Sequence, residues 1–132
     1  MNLVIDTSIV LAVITNESHK PSILKVTKRA DLIAPSSLHW EIGNAFSAMF
    51  KRSRVTLEQA ILAITAYKRI PIRFSDIELE VALGLAESLN VCAYDAYVIG
   101  CALKHKSPIL TLDGGLVDAA QRAGVKIKGF ER

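Results

Sequence analysis

Four short apolar runs punctuate the chain: "NLVID" at residues 2–6, "DLIAP" at 31–35, "PIRFSD" at 71–76 and "SPILTLDGG" at 107–115. The first, second and fourth are rich in aliphatic residues and lack the alternation of a half-solvated strand, the third is a shorter strand over Ile72 to Phe74, and all are followed by a Pro, Gly, Asp or Ser. The aliphatic three show the pattern of a strand buried on both faces. The segments between them are long enough for helices, and a strand–helix–strand alternation requires crossover connections. The spacing therefore predicts a parallel sheet with helices on both faces. Residues 125–127, "VKI", predict a further short strand, for four to five in all.

The intervening segments predict helices at 8–15 and 21–28. A third is capped by Ser36 or Ser37, with Leu38, Ile42, Ala45, Phe46 and Met49 at helical spacing. It runs to the basic Lys51, Arg52 and Arg54. Thr56 is the N-cap of the next helix, which carries Ala60, Ile61 and Ile64, so a helical hairpin is expected over 36–70. Ser75 or Asp76 caps a helix reaching about Asn90, Asp95 opens another, and 116–123 forms the last.

With 132 residues, 51% of them hydrophobic, one well-packed domain over 1–132 is expected and two ordinary ones are excluded. The absence of repetitive or Gly/Ser/Pro-rich segments argues against disorder or a solenoid. Cys92 and Cys101 form no CxxC pair and are expected in the core. No secretory leader and no run of roughly 18 to 20 apolar residues occurs, so a cytoplasmic protein without membrane partners is expected. A net charge of +3 is compatible with a polyanionic partner but does not specify one.

The acids carry more information. In open parallel α/β sheets, ligands bind outside the carboxyl ends of the strands. Asp6 and Asp113 follow apolar strands, so their side chains should emerge at one edge. Asp95 stands where a helix begins, and Glu41 lies one turn into a helix that follows a strand, so both can reach the same edge. Each also has an ordinary reading: a strand end for Asp6, an N-cap for Asp95, a turn for Asp113 before Gly114, an exposed helix position for Glu41. Glu41 and Asp95 stand out because they interrupt the apolar stretches "LHWEIGNAF" and "VCAYDAYVIG". Asp31, Asp76 and Asp118 lack such surroundings and read as surface or capping groups. Grouped carboxylates repel unless they share protons or bind a cation, and oxygen donors suit Mg²⁺ or Mn²⁺.

Other chemistries find little support. His19, His39 and His105 have no metal-ligand spacing, and no nucleophile elbow, P-loop or dinucleotide fingerprint occurs. Thr7 and Ser8 have no obvious histidine base, so these hydroxyls read as helix caps or as orienting groups.

Taken together, "VIDTSIVLA", Glu41 in "LHWEIGNAF", "AYDAYVIGCAL" around Asp95 and "PILTLDGGLVDAAQRAGVKI" around Asp113 resemble the PIN domain, specifically the small VapC toxins of toxin–antitoxin pairs. The resemblance spans essentially the whole chain. It implies a three-layer α/β/α fold with a mostly parallel central sheet of four to five strands. It further implies an endoribonuclease dependent on Mg²⁺ or Mn²⁺, with Asp6, Glu41, Asp95 and Asp113 as the acidic metal pocket and Ser8 helping to hold that pocket or a water. An RNA substrate, a homodimer and a VapB-like antitoxin whose C-terminal segment blocks the groove are implied as well. Trp40, Phe46, Met49 and Phe50 on the hairpin are candidates for that groove or for core. Lys20, Lys25, Lys28, Arg29, Lys51, Arg52 and Arg54 are candidates for a basic rim that draws RNA toward an acidic pocket. Three alternatives remain at this level: a PIN nuclease of RNA processing without an antitoxin, a non-catalytic PIN scaffold, and a receiver-like module. The last is disfavoured because "DTS" supplies only one acid beside the first strand.

Overall fold

A computed structural model describes residues 1–130. Strands β1 (Asn2–Ile5), β2 (Asp31–Pro35), β3 (Ile72–Ser75) and β4 (Ile109–Leu110) form one sheet in the order β3-β2-β1-β4, every pair parallel. The helices are α1 (Thr7–Ile14), α2 (Lys20–Thr27), α3 (Leu38–Lys51), α4 (Leu57–Tyr67), α5 (Leu79–Leu89), α6 (Ala93–His105) and α7 (Gly114–Arg122). The segment 125–127, expected to be a fifth strand, makes only an isolated parallel bridge between Ile127 and Ile109. Its neighbours Lys126 and Lys128 exchange backbone hydrogen bonds with Ile109, so the chain brushes the sheet edge for one residue without extending it.

Strand periodicity divides the core in two. Leu3, Ile5, Ala34 and Leu110 pack on one face with residues of α1, α3 and α4. Val4, Ile33 and Ile109 pack on the other with α6 and α7. Successive residues of a strand point to opposite faces, and all of these positions are apolar, so the sheet is buried on both sides and the fold has three layers. Burying each large aliphatic side chain contributes roughly 1.5–3 kcal/mol before entropy is counted.

Several local details differ from the sequence expectations. In α4 the buried stripe is Ala60, Ala63 and Tyr67, while Ile61 faces solvent. The capping box is present: Gln59 N–H donates to Thr56 Oγ1 and Thr56 N–H to Gln59 Oε1. Ser37 occupies the N-cap of α3 without a capping bond, and Ser36 donates instead to Asp76 Oδ1 at 2.7 Å. That bond takes Asp76 away from capping, and α5 begins later, after Glu78. Cys101 is buried as expected, but Cys92 is exposed at the N-cap of α6. Gly100 of α6 passes close to Ile77: an added Cβ would lie 2.9 Å from Ile77 Cγ2. Among the described residues, no helix is long and apolar enough to cross a membrane.

Candidate active site

Strand order sets the position of the site. The chain steps from β1 to β2 to β3 in one direction and then returns to place β4 on the other side of β1. The switch in direction falls between β1 and β4, where the crossovers diverge and leave a crevice outside the carboxyl ends. The register pairs Ile5 with Leu110, so the next residues, Asp6 and Thr111, emerge side by side into that crevice.

Asp6 is 8% exposed and is the N-cap of α1. Its carboxylate accepts three hydrogen bonds: from Ser8 Oγ at 2.6 Å and Ile9 N–H at 3.3 Å on Oδ1, and from Thr111 Oγ1 at 2.7 Å on Oδ2. A hydroxyl has one proton to give, and Ser8 and Thr111 each give theirs to Asp6. Their oxygens, 3.2 Å apart, are therefore neighbours whose protons are already committed. As acceptors, Ser8 Oγ takes Leu112 N–H at 2.9 Å and Thr111 Oγ1 takes Asp113 N–H at 3.0 Å. The start of α1 is thus bolted to the segment after β4 through side chains from both. Asp113 in turn caps α7, accepting from Gly115 N–H at 2.9 Å.

Glu41 lies in the first turn of α3, half-buried. Asp95 lies in the first turn of α6, also half-buried, and Cys92 rather than Asp95 is the N-cap. The helix starts three residues earlier than the sequence suggested, because Ala93, Tyr94 and Asp95 are themselves helical, and the capping explanation for Asp95 falls away.

The acids act on one another through space. Burial pushes the Asp6 carboxyl above its ordinary range, against the pull of the Ser8 and Thr111 hydroxyls and the Ile9 N–H, and the charge of Asp113 adds to the rise. Burial likewise raises Glu41 to about 7, with the Thr7 hydroxyl pulling it back and the charges of Asp6 and Asp95 pushing it further. Asp95 is raised by burial and by Asp113. Asp6, Glu41, Asp95 and Asp113 therefore close a circuit of mutual repulsion, which is the signature of one pocket carrying excess negative charge.

Whether a cation suits this pocket can be tested on the residues themselves. Every available donor is a carboxylate or hydroxyl oxygen, the set preferred by hard divalent ions. Thr7 Oγ1 is buried with no partner at hydrogen-bonding geometry, although it is near enough to Glu41 to favour the ionised carboxylate. Among the described residues, no three His, Cys, Asp or Glu side chains are drawn together tightly enough to hold an ion as they stand. The fit is one of charge and donor chemistry.

Sequence reasoning picked out the four acids and Ser8, and the structure brings them to one crevice. It passed over Thr111. The signal was a lone hydroxyl inside the apolar run "ILTL", at the place where a buried strand would carry another aliphatic residue. Two of the three histidines are engaged elsewhere: His39 Nδ1 with Tyr67 Oη at 2.8 Å, and His105 Nε2 with Ser75 Oγ at 2.8 Å; His19 stands at the start of α2. Lys25, Lys28, Arg29, Lys51, Arg52 and Arg54 are exposed, and none is ion-paired among the described residues. Lys51 lies ten positions beyond Glu41 on α3, about 15 Å along the helix, so that end of the hairpin is too remote to share a phosphate with the pocket.

Three solved structures share this architecture. PAE2754 from Pyrobaculum aerophilum superposes with a TM-score of 0.71 at 18% identity, over 90% of this chain and 79% of that one. VapBC2 from Rickettsia felis, solved bound to a DNA fragment from their promoter, gives 0.69 at 13% identity over 99% and 100%. Mycobacterium tuberculosis VapC20, described as a sarcin–ricin loop cleaving toxin, gives 0.63 at 15% identity over 89% and 94%. At such identities the likeness concerns the fold. No curated protein matches by sequence. The family model of the PIN domain matches residues 3–121, nearly the whole chain, and with the sheet order and the acid-lined crevice already described, this protein belongs to the PIN domain family.

Proposed function

We propose that the chain is an endoribonuclease dependent on Mg²⁺ or Mn²⁺ that acts as the toxin of a VapBC-type pair. The observation that carries the reading is the circuit of four acids at the switch point of a PIN domain, with Asp6 fixed by Ser8 and Thr111. In this reading Asp6, Glu41, Asp95 and Asp113 hold the cation. When bound, it would supply activation of water and neutralisation of phosphate charge. The chain's own part is to fix the oxygens. Ser8 and Thr111 lock the plane of Asp6, and the raised acids give the pocket its affinity for positive charge. Ser8 is assigned no nucleophilic role, since its hydroxyl already donates to Asp6 and His39 and His105 are engaged elsewhere.

The toxin assignment is supported by likeness to VapC20 and VapBC2 in fold and in chain length. A VapB-like antitoxin would lay its C-terminal segment along the apolar surface of the hairpin. There Trp40 and Phe50 are exposed, Met49 is half-buried, and Phe46 belongs to the core. Homodimer formation and a cytoplasmic location belong to the same reading. The test is cleavage of a mixed-sequence RNA by purified, antitoxin-free protein with Mg²⁺ or Mn²⁺ and with EDTA, with Asp95→Asn in parallel. Metal-dependent cutting that the variant loses is expected. A folded protein that cuts nothing with either metal, or cutting that survives the substitution, would overturn the nuclease assignment.

A further inference from the structure

Beside the acids lies a cleft of about 450 Å³ whose walls include Trp40, Tyr94 and Tyr97, with Ser36, Ser37 and Asp76 on its polar side. Its aromatic walls are tied to the pocket by the chain: Trp40 directly precedes Glu41 on α3, Tyr94 directly precedes Asp95 on α6, and Tyr97 follows in the next turn. The Trp40 indole is 69% exposed. Its face is therefore open to a ligand entering the cleft. Tyr94 and Tyr97 stand edge-to-face with centroids 6.3 Å apart. The polar wall has spare capacity, because Ser37 Oγ is buried with no hydrogen-bond partner while Ser36 is committed to Asp76.

We propose that this cleft receives an unpaired base of single-stranded RNA, the nucleotide flanking the phosphate held at the acidic pocket, with Trp40 and Tyr94 as its stacking surfaces. The inference rests on the nuclease reading above and adds how the substrate is gripped. Stacking supplies attraction that carries no charge, which an acidic pocket needs when its ligand is a polyanion. Bases in a duplex are already stacked and paired, so aromatic platforms of this kind select single strands and loops. Loss of one stacked base weakens binding about 5- to 150-fold.

Trp40 is the only tryptophan in the chain, so its fluorescence reports on this cleft alone. Full-length Asp95→Asn protein, with one repelling charge removed, is titrated with a ten-nucleotide single-stranded RNA and with the same strand made abasic. Quenching by the intact strand and none by the abasic strand is the expected result. Equal response to both would show that phosphates alone are bound and would overturn the proposal. So would a blue shift that grows with protein concentration in the absence of RNA, which would mean that a second copy covers the cleft. In parallel, Trp40→Leu and Trp40→Phe are made in the otherwise unaltered chain and assayed for cleavage. The expected result is a KM raised about 5- to 150-fold by Leu and largely restored by Phe, at unchanged melting temperature. An active enzyme indifferent to Trp40→Leu would sink the stacking assignment and leave the nuclease standing. RNA that is bound through its bases and never cut would do the reverse.

Discussion

Replacing Glu41 by glutamine should make the protein more stable while removing its activity. The carboxyl is held at about 7 in the fold against an ordinary value of 4.5, chiefly by burial and then by the charges of Asp6 and Asp95, with the Thr7 hydroxyl opposing. At full burial that difference would disfavour the ionised folded state by about 3 kcal/mol. Glu41 is only half-buried and solvent screens the effect, so about 1.5 kcal/mol is the working figure. Its sign follows from proton counting. Between pH 4.5 and 7 the folded chain keeps a proton that the unfolded chain has released, so stability falls as pH rises through this window and stays lower above it. Glutamine has nothing to ionise. Thermal melts in EDTA should therefore show Glu41→Gln about 5 °C above wild type at pH 8, with the gap largely closed at pH 5. Equal melting temperatures at pH 8 would show that the carboxylate is unstrained. A gap of the same size at both pH values would assign the effect to packing and refute the electrostatic argument.

Asp6→Asn removes charge with little change in volume, so it should abolish cleavage while the circular dichroism spectrum keeps its wild-type form. Mn²⁺ should raise the melting temperature of the wild type, by an amount corresponding to about 2.7 kcal/mol at a hundred times its Kd, and should leave Asp6→Asn unmoved; an equal rise in both would place the ion elsewhere. Thr111→Val keeps the shape but strips a donor from Asp6 and leaves Asp113 N–H without its acceptor, so urea unfolding should show a loss of about 1–3 kcal/mol. Gly100→Ala gains helix propensity yet drives a methyl group into Ile77, and a net loss of about 1 kcal/mol is expected in the same assay; a more stable variant would mean that Ile77 yields freely.

Most of the sheet was legible because β1, β2 and β4 are buried on both faces and leave apolar runs that turn residues delimit, whereas the edge strand β3, with Arg73 and Phe74 exposed, was marked mainly by its flanking Pro71 and Asp76. The segment 125–127 looked no different, and nothing local says that β4 is too short to carry a long neighbour. Asp6 and Asp113 stood out as acids directly after apolar strands and Glu41 and Asp95 as acids inside apolar stretches, and Asp31, exposed beside the N-terminal amine at 3.7 Å, shows the contrast. Thr111 was not, because a hydroxyl in a strand has many uses and its partner, Asp6, is 105 residues away. Which apolar residues of α4 face outward was equally hidden: both sides of that helix are aliphatic, so periodicity alone could not choose Ala60 and Ala63 over Ile61 and Leu62. Cys92 illustrates the limit of composition, since a residue type usually buried stands exposed at a helix start.

β4 is two residues long and lies at the edge of the sheet, where, among the described residues, the bridge at Ile127 is its one strand-like partner on the outer side. Asp6 ends a central strand flanked on both sides, whereas Thr111 follows this shortest one. The two halves of the acid-lined crevice thus belong to regions of unequal durability. Fraying at the outer edge would detach Thr111 from Asp6 long before the interior melts. Amide exchange at Ile109 and Lys128, whose hydrogen bonds close that edge, should outpace exchange at Val4. Heat would then dismantle the site while most of the molecule remained folded, and the working lifetime of the crevice would be governed by the few residues of β4 and the segment that bridges to it.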